Sequence, residues 1–353
     1  MPDPAFVHLR LHTEFSIVDG IVRIERAVAK AAADGMGALA ITDLANLFGM
    51  VKFYKAARAA GVKPILGCDA WIEGETDREK PSRLLLLARS REGYRSLCEL
   101  LSRAWLENQH RGRAEIKRGW LAEGGARGLI ALSGALAGDV GMALAQDNMA
   151  QAERHAREWA AIFPGAYYLE LQRSGRGDAE AYVERALHLA GRLGLPAVAT
   201  HAVQFLEPEE FKAHEARVCI AEGYVLADQR RPRAFTQENY FKTQAEMAAL
   251  FADLPEALAN AVEIARRCNL ELELGTNRLP RFPTPPGVTL EDHLAESARA
   301  GLARRLAQLY PEPAAREAQA QRYRERLDFE IRTIVQMGFA GYFLIVADFI
   351  NWA

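Results

Sequence analysis

Seven short apolar runs recur along the first part of the chain, and their alternation with helical patterns constrains the fold more than any other feature. They cover 6–12, Ala38–Thr42, Lys63–Glu73, Arg83–Ala88, Gly128–Ser133, Ala166–Gln172 and Leu195–Thr200. Between them Ile21–Asp34, Phe48–Ala60 and Gly93–Glu107 carry apolar residues three and four apart, the spacing of one helix face. Strands that alternate with helices predict an α/β fold with a parallel sheet. At 353 residues the sheet has room to close into a (β/α) barrel. No sequence repeat accompanies the alternation, which excludes a solenoid.

Barrel chemistry gathers at the C-terminal ends of the strands. The polar residues that fall there are His12, Thr42–Asp43, Asp69, Ser133–Gly134 and Thr200–His201. The first run, FVHLRLHTEFSIVDG, aims His8, Arg10 and His12 to one face and places Asp19 on the following turn. Imidazoles and a carboxylate so placed are metal-site material. Arg10 works against that, because a guanidinium has no lone pair to give and repels a cation. Taken singly, the Ser, Thr and Asp residues at strand ends also serve as helix caps.

Lys and Arg (44) nearly balance Asp and Glu (46), so a net charge of −2 gives no general footprint for nucleic acid. Cys68, Cys98, Cys219 and Cys268 fit neither a zinc spacing nor a disulfide framework and read as buried free thiols of a cytoplasmic protein. Neither an export signal nor a membrane span is expected. From Phe205 onward the pattern is helical, over Pro208–Glu222, Gln244–Phe251 and Leu254–Cys268. A proline- and glycine-rich stretch, GTNRLPRFPTPPG, then marks a boundary. The expected organisation is a domain over 1–275, a linker over 276–288 and helices over 289–353, among them Leu290–Tyr310 and Ala314–Met337. The final GFAGYFLIVADFINWA is apolar and without a closing cap, which predicts a piece of a longer polypeptide.

FVHLRLHTEFSIVDG, ALAITDLANLFGMVKFYKAA, GVKPILGCDAWI, GLIALSGALAGDVG and GFAGYFLIVADFINWA together resemble the PHP (polymerase and histidinol phosphatase) domain, and the start of the palm, of the bacterial DNA polymerase III alpha family. The resemblance spans essentially the whole chain. It implies a distorted seven-stranded barrel of PHP type followed by helices that begin the polymerase palm. Active PHP domains hold about three divalent metals at the strand ends, where adjacent cations activate water for phosphoester hydrolysis. Matched position by position, His12, Asp19 and Asp69 stand at ligand positions. Arg10, Leu44, Arg83, Ala135, Ala202 and Gln204 replace ligands.

The resemblance therefore implies a metal-free, hydrolytically inactive PHP domain with a structural and docking role. The parent would copy DNA from deoxynucleoside triphosphates with magnesium, through domains beyond this chain. Its partners would be a proofreading exonuclease subunit, other replicase subunits and DNA. The rival reading is an active metal-dependent phosphoesterase or 3′-5′ proofreading exonuclease, with zinc or manganese on His12, Asp19 and Asp69. A free-standing histidinol-phosphatase-like enzyme conflicts with Gly338–Ala353. With the cations gone, Asp19 and Asp69 would repel each other, so Arg10 and Arg83 are expected to neutralise them.

Overall fold

The computed structural model describes residues 5–276 and 279–353 and divides into two units, Met1–Leu272 and Glu273–Ala353. Asn277 and Arg278, in the predicted linker, lie outside the described residues.

The first unit holds eight strands: β1 (Ala38–Ile41), β2 (Lys63–Ile72), β3 (Ser82–Ala88), β4 (Gln109–His110), β5 (Arg113–Ile116), β6 (Leu129–Leu132), β7 (Tyr167–Gln172) and β8 (Ala197–Thr200). They form one sheet in the order β4-β5-β2-β3-β6-β7-β8, with β1 also on β2. The remaining expected strand, 6–12, is an extended segment held by isolated contacts. Ala40 and Thr42 donate backbone hydrogen bonds to the carbonyls of His8 and Leu11, while His12 donates to that of Val203 at 3.0 Å. This segment therefore joins β1 to the chain just beyond β8 and closes a distorted barrel. Its bonds to these two neighbours are isolated, and it forms no continuous ladder with either.

The sheet is mixed rather than parallel. β3 runs antiparallel to both β2 and β6. A parallel return needs a crossover of a dozen or more residues, usually a helix, whereas Glu73–Pro81 contains no helix and turns the chain straight back. Leu84, Leu85, Leu86 and Leu87 are each no more than 1% exposed, so this central strand is buried on both faces. β4 and β5 form a hairpin not expected from the sequence. Arg111 and Gly112 at its tip have φ of 49° and 77°, the pair of left-handed residues that a two-residue hairpin turn requires. Helices Ile24–Ala33, Met50–Ala59 and Arg91–Glu107 bury their apolar faces against the sheet.

The second unit consists of helices Leu290–Leu309, Pro313–Gln336 and Ala340–Trp352. Thr289 caps the first, its hydroxyl accepting from the Asp292 amide at 3.1 Å. Leu294, Ala340 and Leu344 make a small core with Phe282, Leu290 and Ile334. No single helix among the described residues is long and apolar enough to cross a membrane. Pro313–Gln336 and Ala340–Trp352 meet that test only as a pair bent by 115°.

Candidate functional site

The strand ends of the first unit surround a cavity of about 350 Å³. Arg10, His12, Asp19, Asp69, Arg83, Ala135, Ala202 and Gln204 all line it, so sequence positions nearly two hundred residues apart meet at one mouth. Leu44 does not line it. That residue lies opposite Asp69 in an isolated bridge, and its amide donates to Ser16 Oγ at 2.9 Å.

The floor of the cavity is an ionic network. Arg10 points into it with its side chain 7% exposed. Its Nε and Nη2 donate side by side to the two oxygens of Glu170, at 2.9 and 3.0 Å, and Nη1 donates to Asp69 Oδ2. Arg83 Nη2 reaches the same Asp69 oxygen at 2.6 Å. His12 lies between two carboxylates, with Nδ1 3.0 Å from both oxygens of Asp19 and Nε2 3.1 Å from Asp69 Oδ2. Ser16 Oγ adds a hydrogen bond to Asp19 at 2.8 Å. The two arginines thus converge on Asp69, whereas Asp19 is paired with His12.

Glu170 was not among the residues singled out from sequence, and it is the best-satisfied acid in the network. Besides Arg10 it accepts from the Gly134 amide at 3.1 Å, Gln172 Nε2 at 2.9 Å and Thr200 Oγ1 at 2.5 Å. Its own amide donates to Ser133 Oγ at 2.9 Å. Its signal was a carboxylate inside the otherwise apolar start of β7, YYLEL, since acids are almost never fully buried unless paired. Ser133 and Thr200, which could have been helix caps, serve this residue instead. Gly134 (φ 79°) and Ala135 (φ 47°) are successive left-handed residues, and the turn they make presents the Gly134 amide to Glu170.

Three cations, Arg10, Arg83 and His12, face three carboxylates, Asp19, Asp69 and Glu170. The electrostatics follow. Burial alone would raise the Asp69 carboxyl, but Arg10, Arg83 and His12 hold it well below the ordinary carboxylate range. Burial opposes protonation of His12, yet Asp19 and Asp69 lift it to about 9. Asp19 is held low against burial, chiefly by His12.

The other strand-end residues belong elsewhere. His8 and His201 lie deeper in the barrel, 6.1 Å apart, with Nε2 of each bonded to the carbonyls of Lys242 and Tyr240 respectively. Burial pushes them down to about 4 and about 3, so both are neutral. Thus His8, expected on the face of Arg10 and His12, takes no part in the network. Asp43 accepts from Thr13 N at 2.6 Å and Thr13 Oγ1 at 2.9 Å, and burial raises it to about 6. The four cysteines are free thiols, three buried and Cys98 half-buried.

The donor set does not fit a cluster of divalent cations. Both ring nitrogens of His12 are engaged by carboxylates, and a histidine protonated on both has no lone pair for a metal. Asp69 Oδ2 is occupied by two guanidinium groups and an imidazole. Among the described residues no group of three or more His, Cys, Asp or Glu is placed to hold a metal ion.

Fold and site together define a PHP-type barrel: residues 8–174 match the family described as PHP domain. Residues 292–353 match the family described as bacterial DNA polymerase III alpha NTPase domain. The DNA polymerase III subunit alpha of Neisseria meningitidis serogroup A is 52% identical over 355 residues, which cover 100% of this chain and 31% of the relative. That of Pseudomonas aeruginosa is 51% identical, with 99% of this chain and 30% of the relative covered. For Escherichia coli K12 the identity is 45%, covering 100% and 30%. The chain belongs to the bacterial DNA polymerase III alpha family and carries its PHP domain. It spans about 30% of the length of the curated relatives it matches.

Proposed function

We propose that this chain is the PHP-bearing part of a replicative DNA polymerase alpha subunit, and that its barrel is metal-free and hydrolytically inactive. The whole polymerase would copy DNA from deoxynucleoside triphosphates with magnesium in the cytoplasm, using catalytic groups outside these residues. The barrel supplies a rigid platform on which a proofreading exonuclease subunit and other replicase subunits dock. The observation that supports inactivity is the position of Arg10. Its guanidinium bridges Asp69 and Glu170, and so places positive charge where a cation would otherwise balance them.

The test is metal analysis of the protein after exposure to zinc or manganese, together with hydrolysis of phosphoesters and of single-stranded DNA 3′ ends. The expected result is no stoichiometric metal and no hydrolysis. Bound metal with a hydrolytic activity that His12→Ala abolishes would instead establish a metal-dependent phosphoesterase or 3′-5′ exonuclease.

A further inference from the structure

A second concavity, of about 540 Å³, opens beside the mouth of the barrel and shares Arg176 and Phe235 with its rim. Its walls are the segment 175–178, the face of helix Phe211–Glu222 and the loop 231–237. The two loops are tied together, Arg176 Nη1 to the Ala234 carbonyl at 3.3 Å and Thr236 Oγ1 to that of Ser174. The groove is therefore built rather than incidental.

Its lining combines Arg176, Arg231 and Arg233 with Phe211 and Phe235, and two acids, Asp178 and Glu215, leave it one positive charge in excess. Arg176 is paired with Asp178 at 2.8 Å and Arg231 with Glu215 at 2.6 Å. Arg233 is exposed and, among the described residues, has no acid partner. Locally the charge departs from that of the whole chain: 211–237 holds five Lys and Arg against three Asp and Glu, in a chain of net charge −2. Phe211 lies tilted against Phe205 at 5.9 Å and Phe235 meets His214 at right angles at 4.8 Å, and both phenylalanines are partly exposed.

We infer that this groove binds a single-stranded phosphodiester chain, with Arg233 and its neighbours on the phosphates and Phe235 under a base. Guanidinium groups match phosphate oxygens in geometry as well as charge. Aromatic side chains beside a cationic track are the combination that holds single strands without reading sequence. An acidic peptide would satisfy the arginines but leave the aromatic faces unused, which favours the nucleic acid. That the strand is DNA rests on the function proposed above; the phosphodiester chemistry does not.

Fluorescence anisotropy of a labelled oligothymidylate of about 12 nucleotides, titrated with the intact chain, tests this. An oligouridylate of the same length separates DNA from RNA. Binding should weaken steeply between about 50 and 200 mM salt, and Arg233→Ala should lower the logarithmic salt slope by about 0.7. Phe235→Leu, which keeps an apolar side chain against His214, should weaken binding roughly fivefold at every salt concentration. Circular dichroism confirms that each variant is folded. Absence of binding at the lowest salt, or affinities unchanged in both variants, would overturn the inference. So would binding of oligoglutamate with the same dependence on Arg233 while oligothymidylate fails to bind. None of these readouts involves the residues examined by metal analysis and hydrolysis, so the two proposals fail separately.

Discussion

Replacing Arg10 by alanine removes one cation from a buried cluster in which positive and negative groups are matched, and the structure shows which acid is left exposed to the consequences. Asp69 would keep Arg83 at 2.6 Å and His12 at 3.1 Å. Glu170 would lose its cationic partner and keep the Gly134 amide, Gln172 and Thr200, all neutral donors. Breaking a buried pair from one side costs about 3–5 kcal/mol, because the other charge stays behind uncompensated. With a urea slope of ~3 kcal/mol/M for a domain of this size, the midpoint should fall by roughly 1–1.7 M. Restoring the balance gives a second reading. Arg10→Met with Glu170→Gln removes one charge of each sign, leaving Arg83 and His12 against Asp19 and Asp69. The double variant should therefore lose less than the two single losses added together, with a coupling of about 2 kcal/mol or more. The assay is urea unfolding followed by tryptophan fluorescence, with Trp71 stacked on Arg83 at 4.4 Å and Trp159 buried as local reporters. A midpoint shift below ~0.3 M for Arg10→Ala, or strict additivity in the double variant, would refute the neutralisation argument.

Three further outcomes are expected. Against the opposing effect of burial, Asp19 and Asp69 lift His12 from the ordinary histidine value of 6.5 to about 9, so its stabilising contribution is complete below pH 6.5 and is lost as pH rises through 9. Unfolding free energies across that window should fall by about 3 kcal/mol in the parent and far less in His12→Gln; equal slopes would contradict the assignment. A Cβ on Gly134 would lie 2.3 Å from the Arg83 carbonyl oxygen at a φ of 79°, so Gly134→Ala should lower the thermal midpoint by several degrees, and an unchanged midpoint would argue against the turn. Ile17 sits at φ 66°, ψ −53° in a tight turn closed by a 2.7 Å bond from the Val18 amide to the Ser16 carbonyl, and its side chain is 53% exposed. This is strained backbone for a β-branched residue, so Ile17→Gly should raise stability by about 1 kcal/mol in the same urea assay, and a loss would show that the side chain is needed in place.

The periodicity of the sequence located most strands and the helices between them, because burial of one face writes directly into spacing. Strand direction was not legible in the same way: LLLLA looks alike whether β3 runs with or against β2, and only the helix-free stretch after Glu73 decides it. The first run was extended as expected, yet the split of its hydrogen bonds between β1 and Val203 depends on a partner almost two hundred residues away. Position matching brought Arg10, His12, Asp19, Asp69 and Arg83 to one cavity. Glu170 was harder to read, because its role depends on Arg10, Gly134 and Thr200, which only the fold brings beside it.

Glu170 also helps to hold the barrel mouth together. Glu170 is the residue through which the ends of β6, β7 and β8 and the segment 6–12 meet, by way of Gly134, Gln172, Thr200 and Arg10. A cation cluster in such a place would tie the same strand ends by drawing their acids inward. Here the tie is a guanidinium with two directional bonds to one carboxylate and a third to another, and its charge cannot be removed by pH or by a chelator. On the reading proposed above, the converging strand ends are held by ion pairs, with Asp69 Oδ2 taken by Arg10, Arg83 and His12 and only Oδ1 left without a partner. That reading expects a mouth that holds its shape for a docking partner and that is poorly suited to polarising a water or a phosphate within it.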